Sequence, residues 1–228
     1  MLPLRDNVPT RSFPVVTVGL IAANFLVWFW ELGARSREIE SYAYYPCAVD
    51  GPCLGAARDH LPAWEGAFSS MFMHASWVHI LGNMLFLWIF GNNVEDAMGK
   101  LRFLVFYLLA GLAATAAQTF VTLQYSGVDA ASVPNVGASG AIAGVLGAYL
   151  VLLPTAMVLT LFGFFLIPIP AVFFLGFWFL FQLWEGGYSV THPDQGGGVA
   201  FFAHVGGFVF GLLLVRAFAI RRPLRPSW

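Results

Sequence analysis

The segment that decides the fold is Val136–Tyr149, which reads V-G-A-S-G-A-I-A-G-V-L-G-A-Y. It is apolar enough to cross a membrane, yet it carries one hydroxyl-bearing aliphatic side chain, Ser139. Residues four apart lie on one face of a helix, and the two positions that follow the serine at this spacing are Ala143 and Gly147. In a bilayer, a face of such small residues lets two helix backbones approach closely. The segment therefore predicts a transmembrane helix with a serine at a close helix–helix contact.

A second segment near the end of the chain has the same kind of face and carries a histidine. Ala203, Gly207 and Gly211 are spaced by four, and His204 lies beside the first of them. A serine hydroxyl is a weak nucleophile unless a base lies within hydrogen-bond distance, and histidine titrates near neutral pH. Two closely packed helices that carry Ser139 and His204 therefore predict a nucleophile and its general base inside a membrane.

The composition indicates an integral membrane protein. Of the 228 residues, 59% are hydrophobic and 10% are charged, whereas about a quarter of the residues in a soluble domain are charged. The net charge of −1 and the lack of a basic stripe argue against a nucleic-acid partner. The length fits a single membrane-embedded domain over residues 1–228. The first apolar run, residues 13–32, is longer than a signal-peptide core, so we expect it to remain as an anchor.

We predict an all-α fold, a polytopic membrane bundle of six transmembrane helices. A span needs about 20 apolar residues, and the uncharged stretch between Asp129 and Glu185 is too long for one crossing. Pro154, Pro168 and Pro170 divide that stretch into two spans joined by an apolar loop. The six predicted spans are residues 13–32, 72–94, 103–123, 136–153, 171–184 and 199–220.

The lysines and arginines predict the orientation. Six crossings place both termini on one side, and eight of the 11 Lys and Arg residues lie on that side. The positive-inside rule therefore places both termini in the cytoplasm. Residues 33–66 then form an interfacial outer loop, and residues 221–228 form a basic tail that faces anionic lipid. Cys47 and Cys53 lie in the outer loop, where disulfides persist, and are either a bridge or two free thiols.

This topology brings the rare polar side chains to one depth. His79, Ser139 and His204 lie near the outer ends of their spans, about 6–9 Å below the surface at ~1.5 Å per residue. Asn83 lies one turn deeper than His79 on the same face. Polar groups at membrane depth face the bundle interior or a cavity that holds water, so we expect these four to converge. His79, Asn83 and the backbone N–H of Ser139 are then candidate donors to an oxyanion.

In chain order, these motifs resemble those of the rhomboid intramembrane serine proteases of the bacterial type. The matching residues are His74, His79 and Asn83, then Gly91, Glu95 and Gly99, then Gly137, Ser139 and Gly140, and finally Ala203, His204 and Gly207. The resemblance covers about residues 68–215. It implies a six-span core and a Ser139–His204 dyad without an acid. It also implies hydrolysis of single-pass transmembrane substrate proteins near the outer surface, at a small residue.

Two positions depart from the family pattern. Many rhomboids have Trp-Arg in the first loop, whereas Trp64 is followed here by Glu65. Many also have an aromatic residue one turn after the serine, stacked on the histidine, and Ala143 stands there. We therefore expect another group to hold the ring of His204.

The remaining residues have supporting roles in this interpretation. We expect His74 to brace the entrance of span two and Glu95 to bond backbone in the inner turn. Gly137, Gly140 and Gly207 allow close backbone approach. The expected gate for the substrate is the loop 186–198 together with span five.

Two other functions remain possible from the sequence, and a third, an intramembrane aspartyl protease, does not fit it. A non-catalytic rhomboid-like protein would bind membrane clients without cutting them, and it would not need both Ser139 and His204. A small transporter would carry ionisable residues through the whole membrane depth. An aspartyl protease would need aspartates within the spans, and every aspartate lies outside them. The expected partners are membrane lipid and substrate proteins, with no nucleic acid, and the oligomeric state stays open. We expect no cofactor and no metal, since no H-E-x-x-H motif occurs. The predicted location is the bacterial cytoplasmic membrane.

Overall fold

The computed structural model describes residues 1–192 and 199–226 and is dominated by six long helices. Each of them lies within, or largely overlaps, one predicted span. They are α1 (Val15–Gly33), α4 (Trp77–Met98), α5 (Lys100–Tyr125), α7 (Ser139–Leu152), α8 (Ala171–Thr191) and α9 (Phe201–Phe218). Three short helices connect them: α2 (Ser36–Tyr42), α3 (Ala63–Ser69) and α6 (Val128–Ala131).

Several of these helices are suited to a membrane. Among the described residues, α1, α5 and α9 are each long and apolar enough to cross one. The segment Ala63–Phe72 passes the same test together with α4, and the two are bent by 83° at the break between them. The helix α7 is a shorter apolar helix of 14 residues, and α8 has 21 residues. The prediction of a polytopic helical membrane bundle is confirmed, while the number of crossings stays a prediction.

The bundle is built around a glycine contact between α7 and α9. A Cβ on Gly207 would overlap the carbonyl oxygen of Gly140, and one on Gly211 would overlap that of Gly144. A Cβ on Gly147 would in turn overlap the carbonyl oxygen of Phe208. The two backbones therefore touch directly, as helices with small-residue faces do in membranes.

Two carboxylates fix the start of α1 at the end of α4. Glu95 accepts hydrogen bonds from the backbone N–H groups of Val16 and Thr17 (3.0 and 2.7 Å) and from the Thr17 hydroxyl (2.7 Å). Helix α1 has no side-chain cap of its own, so Glu95 satisfies donors that would otherwise be unpaired. Asp96 pairs with the guanidinium of Arg11 at 2.8 Å.

The predicted all-α fold lacks a three-stranded sheet that the structure contains. The antiparallel strands β1 (Leu2–Asp6), β2 (Met157–Phe162) and β3 (Phe165–Pro170) are ordered β1-β2-β3. The hairpin of β2 and β3 occupies the segment predicted as an apolar loop between spans four and five. Because both faces of the hairpin are apolar, the sequence has none of the alternation between apolar and polar residues that marks a half-buried strand. The Asp6 carboxylate anchors β1 by accepting from the Tyr149 hydroxyl and the Asn93 amide, both at 2.6 Å.

The segment 33–66 folds against the end of the bundle that carries Ser139. It contains α2, most of α3 and two 3-10 turns, Pro46–Ala48 and Gly55–Asp59. Cys47 and Cys53 are joined by a disulfide, with their Cα atoms 5.3 Å apart. The Tyr44 hydroxyl contacts the Thr119 hydroxyl of α5 at 2.7 Å.

We expect Gly207→Val to destabilise the bundle by about 1–3 kcal/mol, because the added side chain overlaps the Gly140 carbonyl and forces α9 away from α7. The thermal unfolding midpoint in detergent should fall by several degrees. The matched control is Gly176→Ala in α8, where an added Cβ meets nothing within 4 Å. An unfolding midpoint for Gly207→Val equal to that of the control would contradict the close contact.

Candidate active site

Ser139 is the first residue of α7 and follows a turn that requires glycine. Gly137 has φ +128°, a conformation that L side chains rarely adopt, and its N–H donates to the Ser70 carbonyl at 2.9 Å. The turn leads into α7 and places the serine at the N-terminus of the helix, where the backbone N–H groups have no intrahelical acceptor. The hydroxyl therefore stands at the positive end of a helix dipole.

His204 lies in the first turn of α9, and the α7–α9 contact brings it to Ser139. Its Nε2 is 2.8 Å from the Ser139 Oγ. The two side chains are 65 residues apart in the sequence and come from different helices. This distance is that of a hydrogen bond between a nucleophile and its base.

The opposite side of the His204 ring contacts α8. The ring Nδ1 is 2.7 Å from the Gln182 Oε1, and the ring of Trp178 lies over the imidazole at 5.8 Å between centroids. Gln182 is only 6% exposed. These two residues were missed in the sequence, although Gln182 is the only amide in the predicted span 171–184. Gln182 and Trp178 therefore hold the His204 ring, which an aromatic residue at the position of Ala143 does in many rhomboids.

His79 borders the same small space as the serine. The Ser76 hydroxyl caps α4 by accepting the His79 N–H at 3.2 Å, which places His79 in the first turn. A Cβ built on Gly137 would lie 2.8 Å from the His79 Nε2 and 3.6 Å from the Ser139 Oγ. The imidazole thus packs on the backbone of Gly137, and any side chain there would displace it.

His74 does not lie on the span-two helix as predicted, because α4 begins only at Trp77. The residues before it form an extended link after the 3-10 turn Ser70–Phe72. From this link the His74 ring reaches back to the helix, where its Nε2 is 3.0 Å from the Asn83 Nδ2. Asn83 and His74 are both buried, so their contact fixes the orientation of the Asn83 amide.

Glu31 holds the link in place from the end of α1. Both of its carboxylate oxygens accept the backbone N–H of His74, at 3.2 and 3.1 Å. The side chain is buried, and this role was not predicted from the sequence. A chain of contacts therefore runs from Glu31 through His74 to Asn83.

A small cavity of about 40 Å³ lies beside Ser139 on the α5 side. Its polar lining includes Ser70, Gln118 and Asn135. Such a volume and lining suit a single water, which needs two to four polar partners. Gln118 also accepts the backbone N–H of Ala203 at 3.2 Å and so ties α5 to the start of α9.

The structure shows no site for a metal in its described part, since no three His, Cys, Asp or Glu side chains cluster there. The predicted gate is only partly visible. Residues 186–191 continue α8 rather than forming a loop, and residues 193–198 lie outside the described residues.

A family model of the rhomboid domain matches residues 62–221, which contain all of the contacts around Ser139 and His204 except that of Glu31. The chain belongs to the rhomboid family.

Three relatives illustrate the similarity. The rhomboid is 30% identical over 213 residues to the rhomboid protease GluP of Bacillus subtilis and 33% identical over 141 residues to the putative rhomboid protease YdcA of the same organism. It is 28% identical over 197 residues to the mitochondrial rhomboid protein 1 of Saccharomyces cerevisiae. The alignments cover 91%, 61% and 85% of this chain but only 35%, 63% and 50% of the relatives. The rhomboid thus spans between a third and two thirds of the length of these relatives.

We expect Glu31→Ala to lower the free energy of unfolding by about 1–3 kcal/mol, because the buried N–H of His74 loses its acceptor. Glu31→Gln retains one amide oxygen and should lose less. Thermal unfolding in detergent measures both. Equal midpoints for Glu31→Ala and the wild type would show that the carboxylate does not hold the link.

Proposed function

We propose that this rhomboid is an intramembrane serine endopeptidase. The observation that carries the proposal is the 2.8 Å contact between the Ser139 Oγ and the His204 Nε2. Two relatives bear the word protease in their names, which supports the same activity. Ser139 is the nucleophile in this proposal, and His204 is the general base and acid.

The reaction follows from these two groups. The Ser139 Oγ attacks the substrate carbonyl carbon while its proton passes to the His204 Nε2. The tetrahedral intermediate then collapses, and the imidazolium returns the proton to the leaving amine, which departs as the new N-terminus. A water next gives its proton to the same nitrogen and attacks the acyl-enzyme. The ester bond breaks, the substrate acid leaves, and the proton returns to the Ser139 oxygen.

The oxyanion needs fixed donors that point at it before the reaction begins. The backbone N–H of Ser139 stands at the start of α7 and is one such donor. The His79 Nε2 borders the space next to the hydroxyl, and Asn83 has two amide hydrogens, of which the His74 contact uses one. Because two packed helices, α4 and α7, hold these groups, they need little reorganisation when charge develops.

The cavity beside Ser139 supports the second half of the reaction. It can hold one water within the bundle, close to the carbon that the acyl-enzyme presents. Its polar lining supplies hydrogen-bond partners for this water close to Ser139.

The proposed substrates are single-pass transmembrane proteins. Ser139, His79 and His204 all lie in the first turn of their helices, near one end of the bundle. A substrate helix need unwind only near the membrane surface to present a peptide bond there. The six-span topology, cytoplasmic termini and a bacterial cytoplasmic membrane belong to the same proposal. The Cys47–Cys53 disulfide lies at the Ser139 end, which supports an oxidising compartment on that side.

Labelling with a fluorophosphonate tests the activity without knowledge of the substrate. We expect the purified wild type to form a covalent adduct on Ser139 that mass spectrometry of the digested protein locates. Ser139→Ala should abolish labelling, and His204→Ala should slow it on the order of 10²-fold or more because the base is lost. The control Ser189→Ala changes a serine of α8 that bonds only its own helix and should label normally.

Two outcomes would count against the proposal. An adduct that persists in Ser139→Ala would place the nucleophile elsewhere. A folded wild type that never labels would favour the non-catalytic rhomboid-like protein that binds membrane clients.

A further inference from the structure

Gln182 meets the His204 ring in a way that selects its tautomer. An amide oxygen can only accept a hydrogen bond, so the 2.7 Å contact with the Gln182 Oε1 requires a proton on the His204 Nδ1. A neutral imidazole then has a lone pair on Nε2, which is the atom 2.8 Å from the Ser139 Oγ. With the other tautomer, Nε2 would carry a proton and could not accept the one from serine.

The surroundings of Gln182 fit this role. Among the buried residues of α8, Gln182 is the one with a polar side chain. Burial of an amide is costly without a partner, and the ring of His204 supplies one. Trp178, one turn earlier on α8, covers the face of the same ring. Two side chains of one helix thus fix both the position and the rotation of the imidazole.

We infer that Gln182 is the positioning residue for His204 and takes the place that a carboxylate has in the soluble triads. This inference rests on the proposed protease function. The amide orients the ring and sets its tautomer without placing a charge in the bundle. Since Gln182 belongs to α8 and Ser139 to α7, the active arrangement of His204 on α9 depends on three helices at once.

Substitutions at residue 182 separate orientation from packing. Gln182→Leu keeps a similar volume but removes the acceptor, so kcat for a cleaved transmembrane substrate should fall about 10–100-fold with KM nearly unchanged. Gln182→Glu keeps an oxygen at the same position and should restore most of the rate. The control Leu180→Ala changes an exposed residue of α8 and should leave kcat as it is.

The tautomer itself is read by ¹⁵N NMR of histidine-labelled protein. The chain has five histidines, and the signal of His204 is identified by its loss in His204→Ala. We expect Nδ1–H in the wild type and in Gln182→Glu, and a mixture or Nε2–H in Gln182→Leu. An unchanged tautomer together with an unchanged kcat in Gln182→Leu would overturn the role. If the wild type holds Nδ1–H but never cleaves a substrate, the proposed protease function is wrong, while the positioning of His204 by Gln182 still holds.

The three-stranded sheet lies at the end of the bundle opposite Ser139 and is largely apolar on both faces. Val158, Thr160 and Ile169 face the helices, and Val158 belongs to the main core. By the strand register, the outward face carries Leu2, Arg5, Met157, Leu159, Leu161 and Leu166. A sheet face in contact with water normally carries polar residues, so this face is suited to another environment.

The tip of the hairpin is still more exposed. Phe164 is 100% and Phe165 is 71% exposed within the described part of the chain. The hairpin passes without a break into α8, since Pro170 is followed directly by Ala171. The hairpin therefore leads directly to exposed apolar side chains at the start of α8, such as Val172 and Phe173. No charged residue interrupts the chain between Asp129 and Glu185.

The free edge of β3 distinguishes lipid from a second protein strand. Gly163 and Phe164 form a two-residue turn that pairs Phe162 with Phe165, and hydrogen-bonded and non-hydrogen-bonded pairs alternate from there. The N–H positions that point to the free edge are then 166, 168 and 170. Pro168 and Pro170 have no N–H, which removes two donors that would be costly in an apolar setting and that an added strand would need.

The geometry points to a membrane-contact surface formed by the outward sheet face and the hairpin tip. It contacts acyl chains at the boundary of the bilayer opposite the Ser139 end, with Arg5 at the level of the lipid headgroups. This second proposal is independent of the proposed protease function.

A nitroxide at residue 164 tests this surface. The two native cysteines form the disulfide, so Phe164→Cys introduces the one thiol to be labelled. The labelled protein is placed in nanodiscs that hold one copy each. The label at residue 164 should collide with oxygen more than with a water-soluble nickel chelate. A label at Leu213, in the exposed face of α9, is the lipid-facing control and should behave in the same way. Lys100→Cys, at the exposed first residue of α5, serves as the water-facing control. Accessibility like that of Lys100→Cys, or shielding from both reagents by protein, would overturn the proposal.

Discussion

The close contact between α7 and α9 is the constraint on which the rest of the structure depends. Carbonyl oxygens of α7 pack directly against Gly207 and Gly211, where any side chain would collide with them. In lipid there is little hydrophobic force between helices, so direct backbone packing must hold such a pair together. The same contact sets the distance between the first turns of the two helices. The serine and histidine meet because the glycines one and two turns further along have no side chains.

Many of the polar side-chain contacts of the bundle lie near its two ends. At one end, Glu95 and Asp96 satisfy the start of α1 and bind Arg11, and Asp6 secures the sheet. At the other end, the Ser76 hydroxyl caps α4, Glu31 holds the backbone of His74, and Gln182 holds the His204 ring. The core of the bundle is packed with aliphatic and aromatic residues and alanines. Rigidity at one end thus supports precise placement at the other.

The sequence predicts the parts of this site that are rare in an apolar background. Ser139 and His204 stand out because each is a polar residue on a face of small residues, and the shared depth of their spans follows from topology. Gln182 is equally isolated in its span, but its partner depends on how α8 rotates, which spacing does not reveal. His74 was placed on a helix because an apolar run continues through it, whereas the Ser76 cap starts the helix later. The sheet was missed because a hairpin apolar on both faces has no period.

A dyad oriented by an amide suits a membrane better than a triad with a carboxylate. A buried carboxylate must be paired or solvated, and when the histidine is neutral nothing beside it would compensate the charge. The amide of Gln182 costs far less to bury and still fixes Nδ1–H through one hydrogen bond. An amide does not stabilise the imidazolium as an aspartate does, so in the proposed protease more of the barrier would have to be lowered by the oxyanion donors. In the proposed protease, His79 and Asn83 would carry that part of the catalysis, and the contacts from Glu31 to His74 and from His74 to Asn83 would hold the Asn83 amide ready for it.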